Sequence, residues 1–150
     1  MTITIYVGAD HRGFKLKETL KKFSQSKGEK MIDLGNDRYD EKDDYPDFAV
    51  KVAGRVSKDP SGTRGILICG AGVGVDVVAN KFKGVRSALV SSEDQAYASR
   101  NDDDANVLCL AADFLSETRA KKIVEIWLAT PFSGAARHKR RLQKIMRLEK

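Results

Sequence analysis

Apolar runs of strand length alternate along the chain with stretches whose apolar residues recur at helical spacing. The runs that predict strands are Thr2–Gly8, Met31–Leu34, Gly65–Cys69, Val85–Val90 and Asn106–Ala111. Helices are predicted between them, because apolar residues three and four positions apart fall on one face of a helix. This alternation, repeated five times, predicts an α/β fold: a three-layer α/β/α sandwich around a five-stranded parallel sheet.

The predicted helices have recognisable ends. The first carries Phe14, Leu16, Leu20 and Phe23 on one side and ends near Gly28, and the second begins at Pro46 and ends before Pro60. Proline suits a first helical turn because its fixed φ is already helical. Three further helices are expected up to about Lys81, over 92–100 and over 117–128, and the segment 131–134 separates them from an extra C-terminal helix.

Length and composition bound the class of protein. The chain has 150 residues, 41% of them hydrophobic and 32% charged, which predicts one globular domain over residues 1–150. No apolar run approaches the length of a membrane span, and the N-terminus begins in a strand pattern without the basic segment of a signal peptide. Two cysteines within strand-like segments indicate reduced thiols and a cytoplasmic setting.

The positive charge is concentrated at the C-terminus. The net charge is +6, and residues 137–150 contain seven basic residues and one acid. Such a helix could bind nucleic acid, a partner or a small phosphate, or could simply present a solvated face. Aromatic residues do not interleave with these charges as a base-stacking surface requires, so a role in nucleic-acid binding is not favoured.

The stretch from Arg64 to Lys81 holds the clearest chemical signal. A branched apolar run ends at Cys69, alternating glycines follow at 70, 72 and 74, and a helical pattern resumes. A tight glycine turn before a helix exposes backbone amides and creates an anion site beside the thiol. The other interpretation of Cys69 is a small buried hydrophobe.

Nucleotide-binding motifs fit this stretch poorly. The third glycine stands one position early for G-x-G-x-x-G, and no G-K-[ST] follows for a P-loop. Glu93 lies where a ribose-binding acid of a nucleotide-dependent oxidoreductase would be expected, but the glycine spacing argues against that class.

Polar residues also follow the first predicted strand. Asp10 and His11 stand at its end, as Cys69 stands at the end of the third. Ligands of parallel sheets bind outside the carboxyl ends of the strands. If the first and third strands are neighbours, these three side chains share one crevice.

Several segments carry a family pattern in order along the chain. Gly8–Phe14 reads G-x-D-H-x-G-F, Asp44–Asp47 reads D-Y-P-D, and Gly65–Lys81 contains C-G-x-G-x-G with a later A-N-K. Gly84–Leu89, 104–108 and 130–141 supply further matching segments. Together they resemble the type B ribose-5-phosphate isomerases and their relatives that act on other sugar phosphates.

The resemblance implies a fold and an activity. It implies a Rossmann-like sheet of strand order 2-1-3-5-4. It also implies interconversion of ribose 5-phosphate and ribulose 5-phosphate, a step of the pentose phosphate pathway, with no metal and no organic cofactor. The expected assembly is a homodimer, sometimes paired into a tetramer, in which each active site is completed by the partner subunit.

Roles for individual residues follow from the matched positions. Cys69 corresponds to the base that moves a proton through an enediolate, while Cys109 is interpreted as packing. The loop expected to hold the enediolate oxygens comprises Gly70, Ala71, Gly72, Val73 and Gly74. Phosphate binding is expected of His11, Arg137 and Arg141, the last two projecting from one helix face. Asp10, Asp44 and Tyr45 match positions of the substrate pocket, and anchoring of loops is an equally open interpretation of them.

Three departures from the family pattern fall at the expected site. Asp102 replaces the histidine credited with ring opening, Asp103 replaces an asparagine that contacts sugar hydroxyls, and Ala71 removes a hydroxyl. A carboxylate can act as a general acid or base, so Asp102 is a candidate for ring opening. Three interpretations stay open: the same isomerisation with Asp102 as substitute, isomerisation of another phosphorylated sugar such as a hexose 6-phosphate or an open-chain aldose phosphate, or phosphosugar binding without catalysis.

Overall fold

The computed structural model describes residues 2–149, in which five strands and six helices alternate. In chain order the elements are β1 Thr4–Ala9, α1 Phe14–Ser26, β2 Met31–Asp33, α2 Tyr45–Lys58, β3 Thr63–Cys69, α3 Val73–Ala79, β4 Ser87–Leu89, α4 Glu93–Asn101, β5 Val107–Ala111, α5 Glu117–Ala129 and α6 Ala136–Met146.

The strands form one parallel sheet in the order β2-β1-β3-β5-β4, which confirms the predicted fold class and strand order. In the register of the three central strands, Ala9 pairs with Ile68 and Cys69 pairs with Ala111. The carboxyl ends of β1, β3 and β5 therefore meet at one edge of the sheet, and the loops that follow them are neighbours.

Both faces of the sheet are covered. One hydrophobic cluster joins α1 and α5 to the sheet around the fully buried Trp127 and Leu20, and the other joins α2 and α3 around Val52 and Leu67. Central strands of a parallel sheet are buried on both faces, which explains why their sequences read as continuous apolar runs rather than alternating ones.

The observed element limits differ from the predicted ones by one or two residues at several ends, and the largest difference in length is in β4. β4 covers only three residues of the six predicted, because it is an edge strand that pairs with β5 alone from Ser87 to Leu89. β1 begins two residues later than predicted and extends to Ala9, whereas β3 begins two residues earlier, at Thr63. The helix expected to begin at Ser92 begins one residue later, and the Ser92 hydroxyl accepts a hydrogen bond from the Gln95 amide as its N-cap.

The last helix is strongly amphipathic. In α6, His138 and Leu142 are buried, while Arg137 and Arg141 on the adjacent strip are exposed. No helix within residues 2–149 has the length and apolar character needed to cross a bilayer.

Gly13 fits where no larger residue does, so we expect Gly13→Ala to destabilise the fold. A Cβ at residue 13 would lie 2.5 Å from the backbone oxygen of Ile68. Overpacking of this kind costs about 1–3 kcal/mol. Gly54→Ala is the matched control, since its Cβ would meet only Phe82 at 3.8 Å. That helical substitution should stabilise by about 0.5–1 kcal/mol. Urea unfolding measures both, and a Gly13→Ala protein as stable as the parent would contradict the close approach.

Candidate active site

A buried carboxylate organises the turn between β1 and α1. Asp10 is 5% exposed, and its Oδ1 accepts hydrogen bonds from the amides of Arg12 at 3.0 Å and Gly13 at 3.1 Å. Burial raises the pKa of Asp10 above its ordinary value, and the Gly13 amide opposes that shift by stabilising the charged form. Asp10 thus fixes the backbone from which the side chains of residues 11 and 12 project.

His11 is held by a carboxylate that the motif search did not select. Asp43 Oδ1 accepts the His11 amide at 2.9 Å and lies 2.7 Å from the ring Nδ1, while Asp43 Oδ2 accepts a hydrogen bond from the Asn36 side chain at 3.1 Å. The hydrogen bond from the ring to Asp43 raises the pKa of His11. The contact between Asp43 Oδ1 and the ring Nδ1 fixes the orientation of the imidazole.

Cys69 ends β3 and is buried, and the glycine loop begins directly after it. Gly72 has φ +74°, and a Cβ there would lie 2.5 Å from Leu89 Cδ1 and 3.0 Å from the backbone of Leu110. Both conformation and space therefore require glycine at this position. Within residues 2–149, the amides of Ala71 and Gly72 donate to no protein acceptor, and of the two residues only Ala71 is exposed, so its amide is the one open to a ligand oxygen.

The start of α2 closes one side of this loop. Asp44 is exposed at the N-cap position in extended conformation, and its side chain makes no capping hydrogen bond. The Tyr45 ring lies against the loop, because a Cβ at Gly74 would meet it at 2.5 Å. The glycine at 74 thus allows the tyrosine to pack directly on the backbone.

These elements surround a cavity of about 480 Å³. The predicted site residues in its lining are Asp10, Tyr45, Cys69, Gly70, Ala71, Val73 and Gly74. The lining also contains Arg12, Val77, Asp113 and Phe114, which the sequence analysis did not select. Gly72 is buried beneath the loop, while His11 and Asp44 adjoin the cavity without lining it. The neighbouring β1 and β3 thus bring Asp10 and Cys69 into one crevice, as predicted.

A signal for the missed residues existed in the sequence. Arg12 lies inside the first motif, and Asp113 stands two residues past the end of β5. Inspection of every charged residue just after a strand would have selected both. Their side chains form an ion pair beside Gly70.

The two acidic departures lie at the other edge of the sheet. Asp102 follows α4 and precedes the amino end of β5, whereas Cys69 pairs with Ala111 at the carboxyl end of that strand. Asp102 accepts a hydrogen bond from the Asn101 side chain at 2.8 Å, and Asp103 is exposed. Neither residue lines the cavity at Cys69.

The predicted phosphate arginines also lie away from this cavity. Arg137 and Arg141 are exposed on α6, whose buried His138 has its Nε2 3.7 Å from Asp102 Oδ1. The segment that follows α6 reaches the loop before β4, where the Glu149 side chain accepts a hydrogen bond from the Gly84 amide at 2.8 Å. One chain therefore presents the predicted residues as two groups, with Asp102 and the α6 arginines in the second.

Three potential metal ligands lie close together. Asp10, His11 and Asp43 each offer an atom within 4.8 Å of the others. Hydrogen bonds to one another and to neighbouring residues already engage Asp10 Oδ1, the histidine Nδ1 and both oxygens of Asp43. We therefore describe the cluster as a hydrogen-bonded anchor for His11 and assign no metal to it.

Known proteins that are similar in sequence to this chain are described as isomerases. The sequence profile of the family described as Ribose/Galactose Isomerase matches residues 5–145. A probable ribose-5-phosphate isomerase B of Mycoplasma genitalium is 46% identical over 150 residues, covering 100% of this chain and 98% of that protein. Ribose-5-phosphate isomerase B of Mycobacterium tuberculosis H37Rv is 36% identical over 146 residues, covering 97% and 90%.

Solved structures show the same similarity. Ribose-5-phosphate isomerase B from Mycoplasma genitalium with bound ribulose-5-phosphate superposes with a TM-score of 0.94 at 46% identity, covering 98% of this chain and 96% of that one. The type B ribose 5-phosphate isomerase of Trypanosoma brucei superposes with a TM-score of 0.93 at 36% identity, covering 99% and 100%.

The contact between His11 and Asp43 predicts a pH-dependent stability. The raised pKa of His11 means that its stabilisation is fully present below the unfolded histidine pKa of ~6.5 and is lost as pH rises through the higher folded value. Asp43→Asn should lower the His11 pKa and remove this contribution. NMR titration measures the shift, with His138, the other histidine, as internal reference. A His11 pKa that does not change in Asp43→Asn would contradict the pairing.

Proposed function

We propose that this chain, which belongs to the ribose/galactose isomerase family and is an aldose–ketose isomerase, interconverts ribose 5-phosphate and ribulose 5-phosphate. The observation that carries the proposal is the cavity at the carboxyl edge, where Cys69 adjoins a loop with free amides. The similar structure with bound ribulose-5-phosphate supports the choice of a five-carbon sugar phosphate.

In the proposed mechanism Cys69 is the only base on carbon. Its thiolate removes the C2 proton of the open-chain aldose, and the electrons form the C1–C2 double bond of an enediolate. A proton passes from the O2 hydroxyl to O1 of the enediolate, and the same thiol then returns its proton to C1, which yields the C2 carbonyl of the ketose. The thiolate is the reactive form of a cysteine side chain. The free amide of Ala71, which lines the cavity, would stabilise an enediolate oxygen as an oxyanion hole does.

Ring opening needs a second group, which we assign to Asp102. Its carboxylate would take the proton from the sugar's O1 hydroxyl while the ring oxygen receives a proton from solvent. Because Asp102 lies at the edge opposite Cys69, the proposal requires a second copy of the chain. In this homodimer, the cavity of one copy would be completed by four residues of the other, Asp102, Asp103, Arg137 and Arg141. The two arginines would bind the phosphate together with His11 of the first copy.

The remaining expectations stay predictions that fit this proposal. One sheet carries both hydrophobic clusters, which supports a single domain over residues 1–150. Both cysteines are free and buried, which supports a reducing, cytoplasmic setting. No metal or organic cofactor enters the proposed steps, since the thiol and the amides serve the proton transfer.

Cys69→Ala should lower isomerisation of ribose 5-phosphate by at least about 10²–10⁴-fold, because it removes the proposed base. The variant should still bind ribulose 5-phosphate, since the loop amides and the phosphate-binding side chains remain. Cys109→Ala is the matched control: that thiol is fully buried in β5, and burial raises its pKa well above the ordinary value. It should retain turnover. Unchanged turnover in Cys69→Ala would rule out Cys69 as the base.

Co-expression of two inactive variants tests the shared site. Cys69→Ala and Asp102→Ala should each be slow alone. Mixed dimers would contain one intact site, so the mixture should recover roughly a quarter of wild-type activity by random pairing in a two-fold dimer. Each variant expressed separately is the control. A mixture no more active than the variants alone would contradict a shared site, and full activity of Asp102→Ala alone would exclude its ring-opening role.

A further inference from the structure

An ion pair that the proposed mechanism does not use lies in the wall of the Cys69 cavity. Arg12 projects from the turn after β1 and Asp113 from the loop after β5, and Arg12 Nη2 contacts Asp113 Oδ2. The two residues are 101 positions apart in sequence. Their side chains are 58% and 35% exposed, so the pair faces the opening of the cavity.

The pair lies directly over the first residue of the glycine loop. A Cβ at Gly70 would stand 2.6 Å from Arg12 Nε and 2.8 Å from Asp113 Oδ2. The guanidinium can occupy this position only because Gly70 has no side chain. Because Gly70 follows Cys69 in the chain, the charge lies at the reacting end of the cavity.

Backbone hydrogen bonds hold both partners in place. The Arg12 amide donates to Asp10 Oδ1 at 3.0 Å, and the Asp113 amide donates to the Gly70 carbonyl at 3.0 Å. Both backbones are thus anchored to the cavity wall, while the two side chains keep their freedom at the opening. An exposed ion pair of this kind contributes little to stability and is easily exchanged for another partner.

A guanidinium at this position has the chemistry of an anion-binding group. It carries five N–H donors in a planar fork, of which Asp113 engages Nη2. We propose that Arg12 hydrogen-bonds the sugar oxygens at the reacting end of the ligand, where negative charge develops in the enediolate, and that Asp113 is its resting counter-ion, displaced when the anionic sugar phosphate arrives. This inference rests on the proposed function, because it places the ligand in the Cys69 cavity.

The two partners should affect binding in opposite directions. Arg12→Gln leaves the Asp113 carboxylate unpaired beside an anionic ligand, so the Kd for ribulose 5-phosphate should rise roughly 10- to 100-fold. Asp113→Asn keeps a hydrogen-bond acceptor for Arg12 but removes the competing charge, so the Kd should fall severalfold. Isothermal titration in the Cys69→Ala background measures both without turnover.

Arg119→Gln is the matched control, since Arg119 is an exposed arginine in the first turns of α5 that does not line the cavity. If Arg119→Gln raised the Kd as much as Arg12→Gln does, the effect would come from the net charge of the protein, and the inference would be overturned. Weaker binding in both Arg12→Gln and Asp113→Asn would indicate a structural pair and overturn it as well. If the Cys69→Ala parent binds no ribulose 5-phosphate, both this inference and the proposed function fail. If the parent binds but the opposite shifts are absent, only the inference fails.

Discussion

The close approach of α1 to β3 determines where the groups of the site stand. Gly13 has room for a hydrogen but not for a methyl group against the Ile68 carbonyl, and that carbonyl also accepts the Asp10 amide at 3.4 Å. The turn is therefore pressed onto the last residues of the strand that ends in Cys69. The buried Asp10 carboxylate tolerates its position because amides of the same turn bind it. This contact fixes the backbone of His11 and Arg12. The positions of their side chains therefore depend on packing rather than on loop flexibility.

The parallel sheet separates the proposed chemistry into two parts. The thiol and the free amides lie at the carboxyl edge, where the ends of β1, β3 and β5 meet, while Asp102 and the arginines of α6 follow helices that return to the amino edge. A single right-handed crossover cannot bring both groups to one edge, because each connecting helix carries the chain back across the sheet. Association of two chains is the simplest way to join them. In the proposed dimer the exposed arginines of α6 would have a role beyond solvation.

The sequence predicted the fold well because parallel strands and covering helices leave strong periodic signals. The predicted limits of the central strands agree with the structure within about two residues, whereas the prediction for β4 is too long: Val85 and Val90 are buried in the two hydrophobic clusters, but the paired residues of β4 run only from Ser87 to Leu89. Strand order came only from the resemblance, since periodicity carries no information on neighbours. Cys69 and Asp10 could be assigned to one crevice from the edge rule. The partner of Arg12 could not, because Asp113 lies 101 residues away and only the register of β5 brings it close. Asp43, one residue before the D-Y-P-D motif, was missed for a similar reason: its value depends on facing His11.

The acidic departures and the Arg12–Asp113 pair belong to one electrostatic problem. In the proposed dimer, Asp102 and Asp103 bring two carboxylates toward a substrate that is itself anionic, where neutral side chains stand in the family pattern. Like charges in a partly enclosed site oppose binding, so further positive charge is needed for a given affinity. In that dimer Arg137 and Arg141 would bind the phosphate, at the other end of the ligand from the reacting carbons, and so would do little to offset charge there. Arg12 lies beside Gly70, at that end, and its charge becomes available when Asp113 is displaced. In this proposal the ion pair balances the Arg12 charge before the ligand binds and makes that charge available to the ligand afterwards.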